Sequence, residues 1–232
     1  HTIGMINAGN PEGAAADVYD VGLVYASSQP YALRWAAVYH ASIAAALAPD
    51  ATVDSVRETA LAYASYHAQH DTPYARYDSV KREVEKAFEI ADKHIGDPMG
   101  MLPAFDELYF GGRHFVYSMS QANEVVSKGL AMFVASEGHA RTALLCAVNF
   151  GRDTDCVAAV AAGLAGAYSG ASALDEGWIQ QVNAATVVDP YTNSYRDIDA
   201  TANGLHEAIV KSVKAQGAYV AKMTGAAGFL CK

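Results

Sequence analysis

The sequence predicts an all-α fold, a compact orthogonal multi-helix bundle, from three observations. Apolar residues recur at helical spacing along most of the 232 residues. Sustained apolar-polar alternation, the pattern of a half-buried strand, is absent from the sequence. Hydrophobic residues make up 52% of the chain and charged residues 18%, which is typical of a globular protein with a substantial core. We therefore expect a single all-α domain over residues 1–232.

Four helices are predicted in the first part of the chain, after a loop from Gly4 to Asn10. Pro11 suits a first helical turn, Pro30 follows a break in the pattern, and Thr52 is a typical N-cap residue. The fourth helix alternates charge signs in KREVEKAFEIADKHI, as solvated surface helices do. The predicted helices cover residues 11–27, 31–48, 52 to about 67, and 78–95.

The second part of the chain is predicted to open with a long connection. Residues 97–113 contain two prolines and the Gly111-Gly112 pair without any helical period, which favours a loop. Helices are then predicted over residues 120–137, 141–149, 157–170 and 198–223. Residues 182–197 are expected to be less ordered.

Charge and cysteine content exclude several classes of protein. The formal charge of −9 argues against nonspecific nucleic-acid binding, which needs an excess of Lys and Arg. Cys146, Cys156 and Cys231 form an odd set without CxxC spacing, so the sequence indicates neither a disulfide framework nor a structural zinc site. This usage suits a reducing cytoplasm. No apolar run is long enough to span a bilayer, so we expect no membrane association.

The string NFGRDTDC carries the candidate chemistry. Asp153 and Asp155 follow Gly151 and precede a run of small residues, which places both carboxylates at a predicted helix N-terminus. Unpaired backbone N-H groups and the helix dipole stabilise anions there, so both side chains should be ionised and able to accept Mg²⁺ or Mn²⁺. From spacing alone, helix capping is the commoner role of an aspartate in this position, and this alternative stays open.

A longer string identifies a family. AVNFGRDTDCVAAVAAGLAGAYSGASALDEGW resembles the C-terminal metal motif of the ADP-ribosylglycohydrolase family: Gly-x-Asp-Thr-Asp followed by Thr, Ser or Cys, then a helix ending in Gly-Ala-x-x-Gly, a loop and a Trp. Upstream, IGMINAGNPEGAAADVYDVGLVYAS and PYALRWAAVYHASIAAALAPDATVDSVRETALAYA are similar to the segments by which that family enters its second half.

The resemblance implies a two-metal centre, usually magnesium, with Asp153, Asp155 and Cys156 among its ligands. In the family the remaining ligands come from a Thr-Asp-Asp-Thr motif in the N-terminal part of the fold, whereas these 232 residues contain no Asp-Asp pair. We therefore expect the chain to represent the C-terminal part of a larger fold, with an N-terminal companion segment. Cys156 replaces a hydroxyl ligand, and Ser28 stands near a position where many relatives carry Ser-His.

The implied function is metal-dependent hydrolysis of a glycosidic bond in ADP-ribosyl or related N-ribosyl groups, with an ADP-ribosyl small molecule or an ADP-ribosylated protein as partner. Asp153 and Asp155 are the expected catalytic residues. Asn7, Gly9 and Asn10 form a loop with backbone donors for a diphosphate, and turn formation is the other explanation of this composition. The alternative is a non-catalytic structural or ligand-binding member, as in the crystallin J1 branch.

Arginine and histidine side chains offer weaker candidates. Arg152 is expected either to bind a substrate phosphate or to pair with Asp153. His67 and His70 are three residues apart, but no third ligand is patterned nearby, so they are expected to be surface residues rather than zinc ligands. His40 is expected to be a hydrogen-bonded core residue.

Overall fold

Helices account for every regular element in the part of the chain that the structure, a computed structural model, describes: residues 1–26, 30–65, 77–110, 121–191 and 195–230. The prediction of an all-α fold is confirmed. The α-helices in these ranges are α1 (Thr2–Ile6), α2 (Pro11–Ala26), α3 (Pro30–Ala46), α4 (Val53–Ser65), α5 (Tyr77–Ala91), α6 (Leu102–Tyr109), α7 (Ala122–Ala135), α8 (Ala140–Val148), α9 (Thr154–Ser169), α10 (Glu176–Thr186) and α11 (Ile198–Leu230).

Three predicted loops contain helices. Helix α1 overlaps the first residues of the predicted opening loop, and α10 extends into the segment that we expect to be less ordered. The connection predicted over residues 97–113 contains a 3₁₀ helix, Pro98–Met101, followed directly by α6. Its prolines stand in the first turns of these two helices, where the missing N-H breaks no bond, and the Asp97 side chain accepts a bond from the Gly100 N-H. These prolines therefore start helices instead of preventing them.

Helix α7 lies at the centre of the fold. All of its residues from Asn123 to Ala135 are buried, and it packs against α3, α4, α5, α8 and α9. The same core contains Trp35 of α3, Phe88 of α5 and Leu164 of α9, none of them more than 1% exposed. A helix enclosed on all sides must also bury whatever polar residues it carries.

A glycine sets the distance between α7 and α9. A Cβ atom on Gly129 would lie 2.2 Å from Cγ1 and 2.7 Å from Cβ of Val160, and 3.2 Å from the Ala161 backbone nitrogen. Contacts that short exist only because glycine has no side chain. The small-residue surface predicted for α9 therefore allows close packing of the two helices.

Contacts divide the chain into two compact units, His1–Glu176 and Gly177–Lys232. The first contains α1 to α9 and the buried core. In the second, Asn183 of α10 accepts a hydrogen bond of 2.8 Å from the backbone N-H of Ile198, the first residue of α11. The expectation of a single domain stays a prediction. Among the described helices, none combines the length and the apolar character that crossing a membrane requires.

A buried carboxylate connects four helices of the first unit. Glu83 of α5 is 1% exposed and accepts hydrogen bonds from Tyr31 of α3 (3.1 Å), Tyr109 of α6 (3.0 Å) and Asn123 of α7 (2.9 Å). Burial raises the pKa of Glu83, and the three hydrogen bonds offset this rise only in part. The folded protein therefore binds a proton at Glu83 more tightly than the unfolded chain does.

The close approach at Gly129 predicts the effect of a single methyl group. We expect Gly129→Ala to lower the free energy of unfolding by about 1–3 kcal/mol, because the added Cβ must displace Val160 or the α9 backbone. Gly166→Ala is the matched control on α9, since no atom lies within 4 Å of its Cβ position. It should raise stability by about 0.5–1 kcal/mol. Urea unfolding measures both, and equal effects would contradict the packing described.

Glu83 predicts a dependence of stability on pH. The pKa of Glu83 in the folded state exceeds its ordinary 4.5, so the folded form holds the proton in a window above pH 4.5 and stability falls as pH rises through it. We expect wild type to lose more stability between pH 5 and pH 8 than Glu83→Gln. Half-exposed Glu85 on the same helix supplies the control, Glu85→Gln. Denaturant unfolding at both pH values tests this, and parallel losses in all three proteins would refute it.

Candidate functional site

The acidic motif lies in the turn between α8 and α9. Asn149 caps the end of α8, and Thr154 is the first residue of α9, as the predicted position of the aspartates required. Gly151 has φ +81° and Arg152 has φ +63°, so two consecutive residues adopt the left-handed conformation. Glycine accepts this without strain, whereas an L residue such as Arg152 loses roughly 1–2 kcal/mol. The turn therefore needs a compensating interaction at Arg152.

Asp153 occupies a tight turn of its own. Its backbone angles, φ −80° and ψ 63°, and the 2.9 Å bond from the Thr154 N-H to the Arg152 carbonyl define an inverse γ-turn. Asp153 is the N-cap of α9, but its side chain makes no capping hydrogen bond. Its Oδ2 atom is buried without a hydrogen-bond partner. Capping, the alternative left open by the sequence, is therefore not what the Asp153 carboxylate does in this structure.

Three side chains bring metal-ligating atoms together at this point. One carboxylate oxygen each from Asp153 and Asp155 and the sulfur of Cys156 all lie within 4.8 Å of one another. Asp153 is half-buried, while Asp155 and Cys156 are exposed. A buried carboxylate oxygen that lacks a donor is costly unless a cation or water meets it, so the donor set fits a hard divalent ion.

The Cys156 thiol differs from its neighbours in charge. Desolvation is the main cause that raises its pKa above 9.0, followed by its hydrogen bond to Asp153 and the negative charges of Asp153 and Asp155. Cys156 is therefore a neutral thiol at pH 7, a poor ligand for Mg²⁺ and a weak hydrogen-bond donor to Asp153. The two carboxylates are the hard ligands of the cluster.

Arg152 pairs with a buried glutamate of α7. Its Nε donates to Oε1 of Glu124 at 2.6 Å, and its Nη2 donates to Oε2 at 3.0 Å. Lys128, one turn further along α7, donates to the same Oε1 at 2.7 Å and lies 5.5 Å from the centre of the Phe150 ring. The side chains of Glu124 and Lys128 are 3% and 1% exposed. A carboxylate in the core thus receives three charge-assisted bonds from two cations.

The bidentate bond is comparable in size with the backbone strain at Arg152. Hydrogen bonds to charged groups contribute about 1.5–3 kcal/mol each, which is enough to offset a left-handed arginine. Phe150, 1% exposed, fixes the other side of the turn by packing edge to face against Phe105, with ring centres 5.8 Å apart. The backbone in front of Asp153 is therefore held from two directions.

A cavity of about 250 Å³ lies beside the turn. It is lined by Phe105, Asp106, Tyr109 and Phe110 of the α6 region and by Arg152. Aromatic walls and an adjacent guanidinium are suitable for a ring system that carries an anionic group. Arg152 therefore borders both the acidic cluster and an open space.

The other predicted binding residues, Asn7, Gly9 and Asn10, form hydrogen bonds with neighbouring helices. Asn7 donates to the Ile3 carbonyl at 3.0 Å and to Asp17 at 2.7 Å, and the Gly9 N-H donates to the Ala44 carbonyl at 2.8 Å. The side chain of Asn10 accepts a bond of 3.0 Å from the Gly13 N-H. These hydrogen bonds run to α1, α2 and α3 and not to the acidic cluster. Diphosphate binding by Asn7, Gly9 and Asn10 stays a prediction.

The remaining candidates have simple outcomes. His40 forms the expected hydrogen bond, since its Nδ1 lies 2.7 Å from the Ala36 carbonyl oxygen, but it is half-buried and lines a cavity instead of belonging to the core. Burial is the main cause that lowers its pKa. Ser28, His67 and His70 lie outside the described residues.

Glu124 and Lys128 are not among the residues predicted from the sequence to belong to the site. A signal existed: they are an acid and a base four residues apart in the largely apolar segment ANEVVSKGLAMFVA. On an exposed helix such a pair is a common surface feature, and only the complete burial of α7 makes it unusual. The pairing of Arg152 with Glu124 in place of Asp153 is likewise a finding of the structure.

The family model for ADP-ribosylglycohydrolase matches residues 1–214. Comparisons with curated proteins and with solved structures gave no significant match. The matched range covers most of the chain, including the whole turn that holds the two aspartates. The chain therefore belongs to the ADP-ribosylglycohydrolase family.

Proposed function

We propose that the protein is a metal-dependent hydrolase that cleaves a glycosidic bond in ADP-ribosyl or related N-ribosyl groups. The observation that carries this proposal is the convergence of Asp153, Asp155 and Cys156 within 4.8 Å, with a buried Asp153 oxygen that has no hydrogen-bond partner. Membership of the ADP-ribosylglycohydrolase family gives the reaction class.

Mg²⁺ or Mn²⁺ is the ion that these residues would hold, as part of a two-metal centre. Asp153 and Asp155 supply hard oxygen ligands, and the neutral thiol of Cys156 contributes a hydrogen bond to Asp153 more readily than a metal bond. When bound, the ions would supply Lewis-acid chemistry that orients ribose hydroxyls and favours deprotonation of water. In this proposal the remaining ligands come from an N-terminal companion segment.

The carboxylates have a second use in the reaction. Glycosidic cleavage develops positive charge on the sugar ring in the transition state, and the negative charges of Asp153 and Asp155 stabilise it at short range. The cavity beside Arg152 is the proposed place for the rest of an ADP-ribosyl group, with aromatic side chains of the α6 region against the rings and Arg152 near the phosphates. An ADP-ribosylated protein or a free ADP-ribosyl compound could provide that group.

Metal binding is tested by titrating the chain with Mn²⁺ and Mg²⁺ in a calorimeter. We expect Asp155→Asn to weaken Mn²⁺ binding by about tenfold or more, because it removes a charged ligand. Asp54→Asn is the matched control: Asp54 is the second residue of α4, as Asp155 is of α9, so both variants lose the same interaction with a helix dipole. Equal heats from wild type and Asp155→Asn would refute the assignment.

Hydrolysis is tested by measuring release of ADP-ribose from ADP-ribosyl-arginine, ADP-ribosyl-serine and O-acetyl-ADP-ribose, with simple nucleosides as truncated substrates. We expect Asp153→Asn to lower kcat/KM by roughly 100-fold or more and chelation to abolish turnover. Turnover that survives chelation would contradict metal dependence. Intact metal binding without hydrolysis of any substrate, in an assay that includes the companion segment, would favour the alternative, a non-catalytic member of the crystallin J1 type.

A further inference from the structure

We propose that Glu124 is a positioning residue for the acidic pair. By accepting two hydrogen bonds from Arg152, it fixes the conformation of the turn that orients Asp153 and Asp155 toward the metal. The inference deepens the proposed function and rests on it. It concerns a buried glutamate and a strained arginine that contribute no ligand themselves.

The position of the Glu124 carboxylate is fixed by burial and by an ion pair within α7. Glu124 lies on the central helix α7, its side chain is 3% exposed, and Lys128 of the same helix holds its Oε1 at 2.7 Å. Lys128 is itself enclosed, with its ammonium over the ring of Phe150. The carboxylate of Glu124 therefore cannot turn toward water without leaving a buried cation unpaired.

Arg152 connects the buried Glu124 carboxylate to the turn before α9. Two parallel bonds from one planar guanidinium fix both the place and the orientation of the group, which a single bond does not. Arg152 immediately precedes Asp153, and its carbonyl accepts the bond that closes the inverse γ-turn. The position of Arg152 therefore determines the direction in which the Asp153 carboxylate leaves the backbone.

The identity of residue 152 argues for more than turn formation. At φ +63° glycine would make the same turn without strain, as neighbouring Gly151 does. Arginine at this position is justified by what its side chain reaches, the buried Glu124. The Asp153 oxygen that lacks a partner lies directly after this tethered residue, so the tether acts where the metal is proposed to bind.

The test uses two variants of Arg152 in the full chain and reads Mn²⁺ affinity by calorimetry. Arg152→Lys retains the charge but loses the bidentate bond to Glu124, and Arg152→Gly releases the backbone strain, which offsets part of the stability lost with that bond. We expect both to bind Mn²⁺ about tenfold more weakly than wild type. For Arg152→Gly this fall opposes the simple effect of charge, since removing a cation should strengthen binding of another cation.

Arg57→Lys is the matched control. Arg57 also holds a carboxylate through two bonds, to Asp92 at 2.6 and 2.7 Å, but it lies near the opposite end of α7, in a cavity lined by Val134 and Glu137. It should bind Mn²⁺ as wild type does. Thermal unfolding is recorded for every variant, and amide hydrogen exchange at Thr154 should be faster in the two Arg152 variants, where the turn is no longer held.

The outcomes separate this inference from the proposed function. Wild-type binding of Mn²⁺ that depends on Asp155, together with affinities of both Arg152 variants within twofold of wild type, would overturn the positioning role and leave the metal site standing. Tighter binding by Arg152→Gly would also overturn it, because Arg152 would then act through its charge alone. Absence of Mn²⁺ binding in wild type would overturn both proposals.

Discussion

A helix buried on all sides must find a partner inside the protein for every polar group that it carries. Helix α7 carries Asn123, Glu124, Ser127 and Lys128 within its first two turns, and all four are buried. Asn123 and Ser127 join the network around Glu83 and Tyr109, while Glu124 and Lys128 face the turn before α9. Because these groups are buried away from water, other protein groups must supply the partners, which are Glu124 of α7 itself for Lys128 and Arg152 of the turn for Glu124. This requirement connects the core to the candidate active site.

Most helices could be predicted because their apolar spacing and capping residues agree. Thr52 illustrates this: its side chain accepts the Ser55 N-H at 3.0 Å and its own N-H donates to Ser55, directly before α4. The wrong predictions concern proline, which occurs both in loops and in the first turn of a helix. The sequence pattern around Pro98 and Pro103 predicts a loop, yet each proline stands in a first helical turn. Composition alone does not distinguish these positions, because the outcome depends on the neighbouring cap.

The candidate site was predictable in part. A glycine followed by two alternating aspartates indicated both the helix start and the carboxylate pair, and family resemblance supplied the chemistry. The partner of Arg152 could not be predicted, since Glu124 is 28 residues earlier and its burial follows from tertiary packing. The absence of a capping hydrogen bond from the Asp153 side chain could not be predicted either, because the inverse γ-turn at Asp153 depends on backbone angles that local propensity does not specify. Long-range electrostatics and backbone strain were the missing information.

The lack of a side chain at Gly129 affects how closely the distance between α7 and α9 is fixed near the candidate site. Where Val160 rests on that glycine, the separation of α7 and α9 is limited by contact between the Gly129 main chain and the stiff, β-branched side chain of Val160. Glu124 lies five residues before Gly129 on α7, and Asp155 lies five residues before Val160 on α9. The contact between Gly129 and Val160 thus fixes the distance between the two helices a little more than one turn from Glu124 and Asp155. Side-chain movements elsewhere in the core therefore change the spacing of these charged groups little.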